Sequence, residues 1–172
     1  MGRNQEKALT MRKSAISILI IGLALIQGLA EVAAAGPPAV PLSRGQTVYV
    51  PAYSHIYHGN REAKINLTVT LSLRNTSLDK TIEFYVVDYY NGDGGLVRSY
   101  LKEPLLLKPL SAVRYVIKES DLAGGSGASF LVKWRAKSQV NTPLIQAVMI
   151  GTEAAQGISF SSQGQVIEEG SE

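Results

Sequence analysis

The chain contains two histidines, and both fall in one hexapeptide, Tyr53-Ser54-His55-Ile56-Tyr57-His58. Neutral imidazole is the commonest side-chain ligand for divalent metals, and a turn can bring two rings three residues apart to one ion. On a regular strand the same spacing sends the two rings to opposite faces. A metal site also needs a further ligand, for which Asp88, Glu62 or Met149 would have to converge from elsewhere in the fold. His55 and His58 are therefore either the core of a metal site or hydrogen-bonding members of a tyrosine-rich turn. Asp88, Asn91 and Asp93, followed by Gly94, have the composition of a calcium loop. Their spacing and the missing glutamate downstream depart from the EF-hand pattern, and a hairpin turn accounts for the same residues.

Other chemistry is narrowed quickly. The absence of cysteine excludes disulfides, thiolate zinc, iron–sulfur clusters and cysteine nucleophiles. The segment Gly124-Gly125-Ser126-Gly127-Ala128 has the look of a nucleophile elbow. It ends in alanine rather than glycine and leads into a strand rather than a helix, so a loop is expected. The sequence offers no complete acid–base or nucleophile set, so no enzyme is expected, and no cofactor. Asp88 shares the alternating face of Ile82, Phe84 and Val86, which predicts an inward carboxylate. Such a group requires a partner, and Arg98 or Arg135 could complete a buried structural ion pair. Tyr53, Tyr57, Tyr89 and Tyr90 are expected to form an exposed binding patch at one end of the domain.

The elements that must position these residues are strands. Ile65, Leu67, Val69, Leu71 and Leu73 alternate with polar residues up to Arg74, which describes a strand with one buried and one wet face. Ile82 to Tyr90 is a second strand, joined through Asn91-Gly92-Asp93-Gly94-Gly95 to Leu96–Leu101 as a hairpin. Val113, Tyr115 and Ile117 alternate after the Pro109 break, and Phe130, Val132 and Trp134 alternate after the glycine-rich loop. Ile145 to Ile150 is apolar enough to be a central strand, and Ile158 and Phe160 mark the last strong one. Seven to nine short strands over this length predict an all-β domain, an immunoglobulin-like β-sandwich. It should span residues 47–167, with 36–46 a Pro- and Gly-rich flexible linker and 168–172 a disordered acidic tail.

Residues 1–35 have a different character. Arg3, Lys7, Arg12 and Lys13 precede an apolar run from Ala15 to Leu29, and Ala33-Ala34-Ala35 follows. A basic region, a short apolar core and a small-residue motif make a signal peptide with cleavage after Ala35. The alternative is an uncleaved membrane anchor over residues 15–35, which would bury Gln27 and Glu31. Without the leader the chain keeps 13 basic and 12 acidic residues, so the sequence pI of 9.1 belongs largely to the leader. The remaining charges are interspersed, and Lys133, Arg135 and Lys137 share one solvated strand face. Nucleic acid is therefore not an expected partner.

Several separated motifs then carry a family resemblance. They are Val48-Tyr49-Val50-Pro51-Ala52-Tyr53-Ser54-His55-Ile56-Tyr57, Leu67-Thr68-Val69-Thr70-Leu71-Ser72-Leu73-Arg74-Asn75-Thr76 and Val87-Asp88-Tyr89-Tyr90. Gly124-Gly125-Ser126-Gly127-Ala128, Val132-Lys133-Trp134-Arg135, Met149-Ile150-Gly151-Thr152 and Gln156-Gly157-Ile158-Ser159-Phe160 follow in order. Together they resemble a bacterial family of uncharacterised exported proteins, domain of unknown function 3124, over almost all of Thr47 to Ile167. The resemblance implies a bacterial exported protein and supplies no activity, substrate or cofactor. The functional expectation is an exported, periplasmic or secreted, non-catalytic module that binds an envelope protein or a glycan. A periplasmic metal-binding protein using His55 and His58 is the alternative.

Overall fold

The computed structural model describes residues 40–152 and 157–170. The leader, the expected cleavage position and most of the 36–46 segment's proline-rich half lie outside them. The described chain is all-β, with twelve strands. They are β1 (Leu42–Pro51), β2 (His55–His58), β3 (Ala63–Asn66), β4 (Thr68–Arg74), β5 (Ile82–Tyr90), β6 (Leu96–Ser99), β7 (Leu105–Leu107), β8 (Ala112–Ile117), β9 (Ser129–Asn141), β10 (Leu144–Gly151), β11 (Ile158–Gln163) and β12 (Gln165–Glu169). One sheet runs β12-β1-β9-β5-β6 with β7 also on β5, and a second runs β11-β10-β4-β8. β2 and β3 form a separate two-stranded ribbon. Every pairing is antiparallel.

The inward residues of both sheets meet in one apolar core, the arrangement of a β-sandwich. Val69, Leu71, Leu73, Ile117, Ala147 and Met149 come from the second sheet, and Val50, Phe84, Val87, Phe130, Val132 and Trp134 from the first. The alternation expected for Leu67–Leu73, Val113–Ile117 and Phe130–Trp134 is the alternation of the burial. Met149 belongs to this core. The strand order differs from that of an immunoglobulin domain, whose last two strands share a sheet. Here the last two described strands, β11 and β12, lie in different sheets.

Two expected boundaries move. Residues 42–46, expected in the linker, are the first half of β1 and pair with β9. Glu168 and Glu169, expected in the tail, lie on β12, where Thr47 Oγ1 donates to Glu168 and Ser43 Oγ and Gln46 Nε2 donate to Glu169. Both segments are edge or near-edge strand, held by backbone pairing that composition does not reveal. The segment expected as one strand from Ile65 to Arg74 is divided at Leu67, whose N–H donates to Ser54 O instead of a ladder partner.

Irregularities in pairing matter more than the boundaries. Phe84 faces Trp134 while Val86 faces Lys133, so Tyr85 is an extra residue in β5 opposite β9. A bulge of this kind reverses the inward and outward faces beyond it. In β1 a single residue, Arg44, stands between Ser43 and Gly45, while their β9 partners are Val140 and Arg135. Residues 136–139 of β9 therefore loop out of the ladder.

The end of the domain holding the start of β1 is tied by Asn75, which is 2% exposed. Its amide nitrogen donates to Lys80 O at 2.7 Å, Leu107 O at 3.0 Å and Lys108 O at 3.1 Å. Its Oδ1 accepts from Ser77 N at 3.0 Å. The loop between β4 and β5 is thereby fastened to the β7–β8 turn, where Leu110 holds a left-handed φ of 56°. The same bonding takes Asn75 out of reach of glycan attachment in the folded domain, although its sequence is a glycosylation motif.

Asn75→Ala is expected to lower stability by about 2–4 kcal/mol, because several buried carbonyls lose their donor together. Asn75→Asp should be at least as damaging, since it turns the donor toward three carbonyls into a carboxylate oxygen. Urea unfolding midpoints of the three proteins check both outcomes. Leu110→Gly, by contrast, should be neutral or stabilising by up to about 1 kcal/mol, since it removes the left-handed strain of a side chain.

Candidate functional site

The bulge at Tyr85 decides where the singled-out residues of β5 point. Beyond it Val87 and Tyr89 are buried, and Asp88 is only half-buried on the other face. The expected buried ion pair of Asp88 with Arg98 or Arg135 is therefore not formed. Arg98 Nη2 instead meets Asp121 Oδ2 at 3.0 Å, and Arg135 Nε meets Glu83 Oε2 at 2.7 Å. Arg135 binds Glu83 through two nitrogens and lies over the Tyr85 ring. Glu83 is held below the ordinary carboxylate range chiefly by its hydrogen bond from Arg135, with the charge of Arg135 adding to it. Both pairs are at the surface, where such bridges contribute roughly 1 kcal/mol or less.

Tyr89, expected in an exposed patch, is wholly buried. Its Oη lies 2.9 Å from Ser54 Oγ, also wholly buried, and its ring packs on Phe130 at 5.0 Å between centroids. A side chain at Gly124 would collide with this phenol, since a Cβ there would lie 1.9 Å from Tyr89 Oη. The glycine-rich loop is thus shaped by a packed tyrosine. It also anchors the chain around it: Ser54 N donates to Gly125 O at 2.9 Å, Ala52 N to Ala128 O at 2.8 Å and Gly92 N to Gly124 O at 3.2 Å. Residues 125–127 form a short 3-10 turn. Tyr100 and Tyr115, the latter on the alternating face with Val113 and Ile117, meet beside this cluster as a tilted pair with centroids 4.9 Å apart.

The four tyrosines therefore do not make one patch. Tyr53 packs edge-on against Phe160 at 5.8 Å, Tyr57 and Tyr90 retain some exposure, and Tyr89 has none. His55 and His58 occupy β2 at a spacing that sends them to opposite faces. His55 is 7% exposed, with Nε2 at 3.2 Å from Tyr57 Oη, and His58 is exposed. Nδ1 of His55 is buried with no hydrogen-bond partner. Among the described residues no group of three or more His, Asp or Glu is placed to hold a metal ion.

Two surface features are left that sequence patterning did not isolate. One is the outer face of the second sheet, a shallow depression of about 550 Å³ lined by Thr70, Ser72, Arg74, Arg114, Gln146 and Val148 among others. Register places Gln163, Gln146, Ser72 and Arg114 in one row across all four strands. The second is a cleft of about 480 Å³ where residues 136–138 of β9 loop away from the start of β5. Ile82, Leu106, Ala136 and Val140 make it apolar, and Asp79, Lys80 and the Arg135–Glu83 pair rim it. The only sequence signal for the first face was the polar half of the β4 alternation, and it required three neighbours to become a surface.

Tyr89→Phe is expected to cost about 1–2 kcal/mol, since Ser54 Oγ loses its buried partner. Gly124→Ala should cost more, because the phenol or the loop must move. Burial holds the His55 pKa below 6.5, and nearby Lys64 lowers it further. A depressed folded value means that this contribution to stability is present above pH 6.5 and is lost as the pH falls toward the folded value. Unfolding free energies should thus decline on mild acidification, and His55→Gln should flatten the decline between pH 6.5 and about 5. An identical slope in both proteins would overturn the assignment.

Comparison with curated proteins finds no match. A crystal structure of Thermotoga maritima 1070 is similar at 10% sequence identity, covering 73% of this chain and 97% of that chain with a TM-score of 0.45. A family model described as a protein of unknown function, DUF3124, matches residues 45–167, which takes in β1 from Gly45 through Ile167 of β12. The chain belongs to the DUF3124 family of proteins of unknown function.

Proposed function

We propose that this is an exported, non-catalytic binding module of the bacterial envelope, and that its ligand surface is the outer face of the β11-β10-β4-β8 sheet. The observation that carries this reading is the charge pattern. None of the outward positions on these four strands is acidic, yet Arg74 and Arg114 both lie there. They sit diagonally across the β4–β8 ladder, since Arg74 faces Ala112 and Arg114 faces Ser72. Diagonal neighbours of this kind stand roughly 7 Å apart at Cβ.

On the opposite sheet Arg135 has its own carboxylate. Here Arg74 Nε donates to Ser72 Oγ at 3.1 Å, and neither arginine has a carboxylate partner among the described residues. Gln163 Nε2 donates to Gln146 Oε1 at 3.2 Å in the same row. Guanidinium groups match carboxylates through paired N–H donors, and hydroxyls and amides suit sugar hydroxyls. The ligand that fits is a polysaccharide carrying carboxylates, lying across the strands. Export rests on the apolar run Ala15–Leu29 and the basic residues before it, and a binding role rests on the arginine-bearing, acid-free face of this sheet.

Full-length protein should be retained by immobilised alginate and not by dextran, with retention falling as salt rises. Arg74→Glu combined with Arg114→Glu should weaken alginate binding at least tenfold, since each charge-assisted contact contributes about 1.5–3 kcal/mol. Equal binding by the wild type and the double variant would remove this face as the ligand surface.

A further inference from the structure

We propose that β8 is an interface strand, through which two copies of this chain join as an antiparallel pair about a two-fold axis. The pairing needs no ligand and is independent of the polysaccharide reading.

β8 ends the β11-β10-β4-β8 sheet, and its ladder to β4 fixes which of its backbone groups are engaged. Asn75 N donates to Ser111 O at 3.0 Å, one step beyond the Arg74–Ala112 partners and in the same register. Asn75 and Ser111 are therefore a hydrogen-bonded pair, and such pairs alternate along an antiparallel ladder. Val113, Tyr115 and Ile117 then turn their N–H and C=O groups toward β4, whereas Ala112, Arg114 and Val116 turn theirs to the open edge. Among the described residues those three have no backbone partner on that side.

A row of unpaired backbone groups is a template for a further strand, and sheet edges are ordinarily blunted by proline, lysine, charge, a bulge or brevity. The other sheet shows these devices. β7 is three residues long and stands between Pro104 and Pro109, β6 joins β5 through a register shift, and β12 joins β1 through another and carries Glu168 and Glu169. At the far side of its own sheet, β11 bends at Gly164 into β12 of the other sheet. β8 has no proline, lysine or bulge over Ala112–Ile117 and pairs with β4 residue for residue. Its apolar side chains reach solvent as well. Val116 is 45% exposed, and Val113 and Tyr115 are only half-buried although they share the inward face with Ile117.

What selects a second copy is that the strand is complementary to itself in one register. Edge-facing backbone groups must meet edge-facing ones, so Arg114 pairs with position 112, 114, 116 or 118 of the second copy. Arg114 opposite Arg114 or Lys118 sets cation against cation, which is destabilising. Opposite Ala112, only the Ala112–Arg114 end of each strand is paired. Opposite Val116, the whole of Val113–Ile117 is paired and each arginine meets an apolar side chain. Val113 then faces Ile117 of the second copy, and Tyr115 meets its own copy on the axis, so apolar contact runs from one core to the next. A contact of this kind uses the same patch on both copies and closes at two. The two acid-free outer faces become one continuous sheet.

The absence of cysteine makes the register readable by disulfide formation in the full-length protein. Tyr115→Cys places two thiols at a non-hydrogen-bonded pair with Cα atoms about 4.5 Å apart, so mild oxidation should give a covalent dimer. Val113→Cys sets the thiols about 13 Å apart along the strand and should give none. In sedimentation equilibrium Val116→Lys should weaken the dimer at least tenfold, because it faces Arg114 of the second copy twice over, and Val116→Glu should tighten it. Trp134 emission reports that both variants stay folded. Arg74→Glu should leave the dimer intact while lowering alginate retention, so failure of the dimer and failure of the polysaccharide reading are told apart. A monomeric wild type would leave the edge to a strand of another protein and overturn the proposal. Crosslinking at 115 no better than at 113, or lysine and glutamate at 116 shifting association in the same direction, would overturn it equally.

Discussion

A single extra residue in β5, Tyr85, sets the conditions for one whole end of this domain. Because side chains alternate with a period of two, inserting one residue exchanges the faces of everything that follows. Val87 and Tyr89 enter the core and Asp88 leaves it. A buried phenol must then be satisfied and accommodated. Ser54 supplies the hydrogen bond, and Gly124 supplies the room by having no side chain. From those two obligations follow the corner between β1 and β2, the path of the glycine-rich loop and its hydrogen bonds to Ala52, Ser54 and Gly92.

The other end is governed by a different economy. Asn75 gathers three carbonyls and one amide from two loops that composition alone would leave independent. One buried amide side chain can do this because it carries both donors and acceptors at a fixed angle. The loops it fixes carry leucines that the core does not use, so the stability of the knot and the exposure of the tips are separate properties of the same few residues. Exposed leucines are found at both ends, Leu78 and Leu110 at this one and Leu96 and Leu122 beside the glycine-rich loop.

Charge on this protein is informative only after it is located. Across the first sheet, cations and carboxylates neutralise each other locally, as at Arg135 and Glu83. Across the second, the outward residues are hydroxyls, amides, small apolar groups and two arginines. The same net charge of +3 is compatible with a uniformly mixed surface or with this segregation. The distinction bears on function because a ligand meets one face at a time.

Much of the fold was legible in the chain: the alternation at Leu67–Leu73, Val113–Ile117 and Phe130–Trp134 is local, and burial reproduces it. The short strand β6 is legible through the Asn91–Gly95 turn that precedes it, whereas the pairing of residues 42–46 and 168–169 depends on distant partners. The chemistry-bearing residues were harder. The histidines lie on one short strand, β2, while Tyr89 turns inward and Asp88 outward through a bulge that leaves no mark on composition. The sequence by itself determined which segments are amphipathic strands, that no thiol chemistry occurs and where the apolar run Ala15–Leu29 lies. Only the tertiary structure decided which face of β5 points inward, which acids the arginines meet and which outward residues share a surface, because each depends on register between strands far apart in the chain.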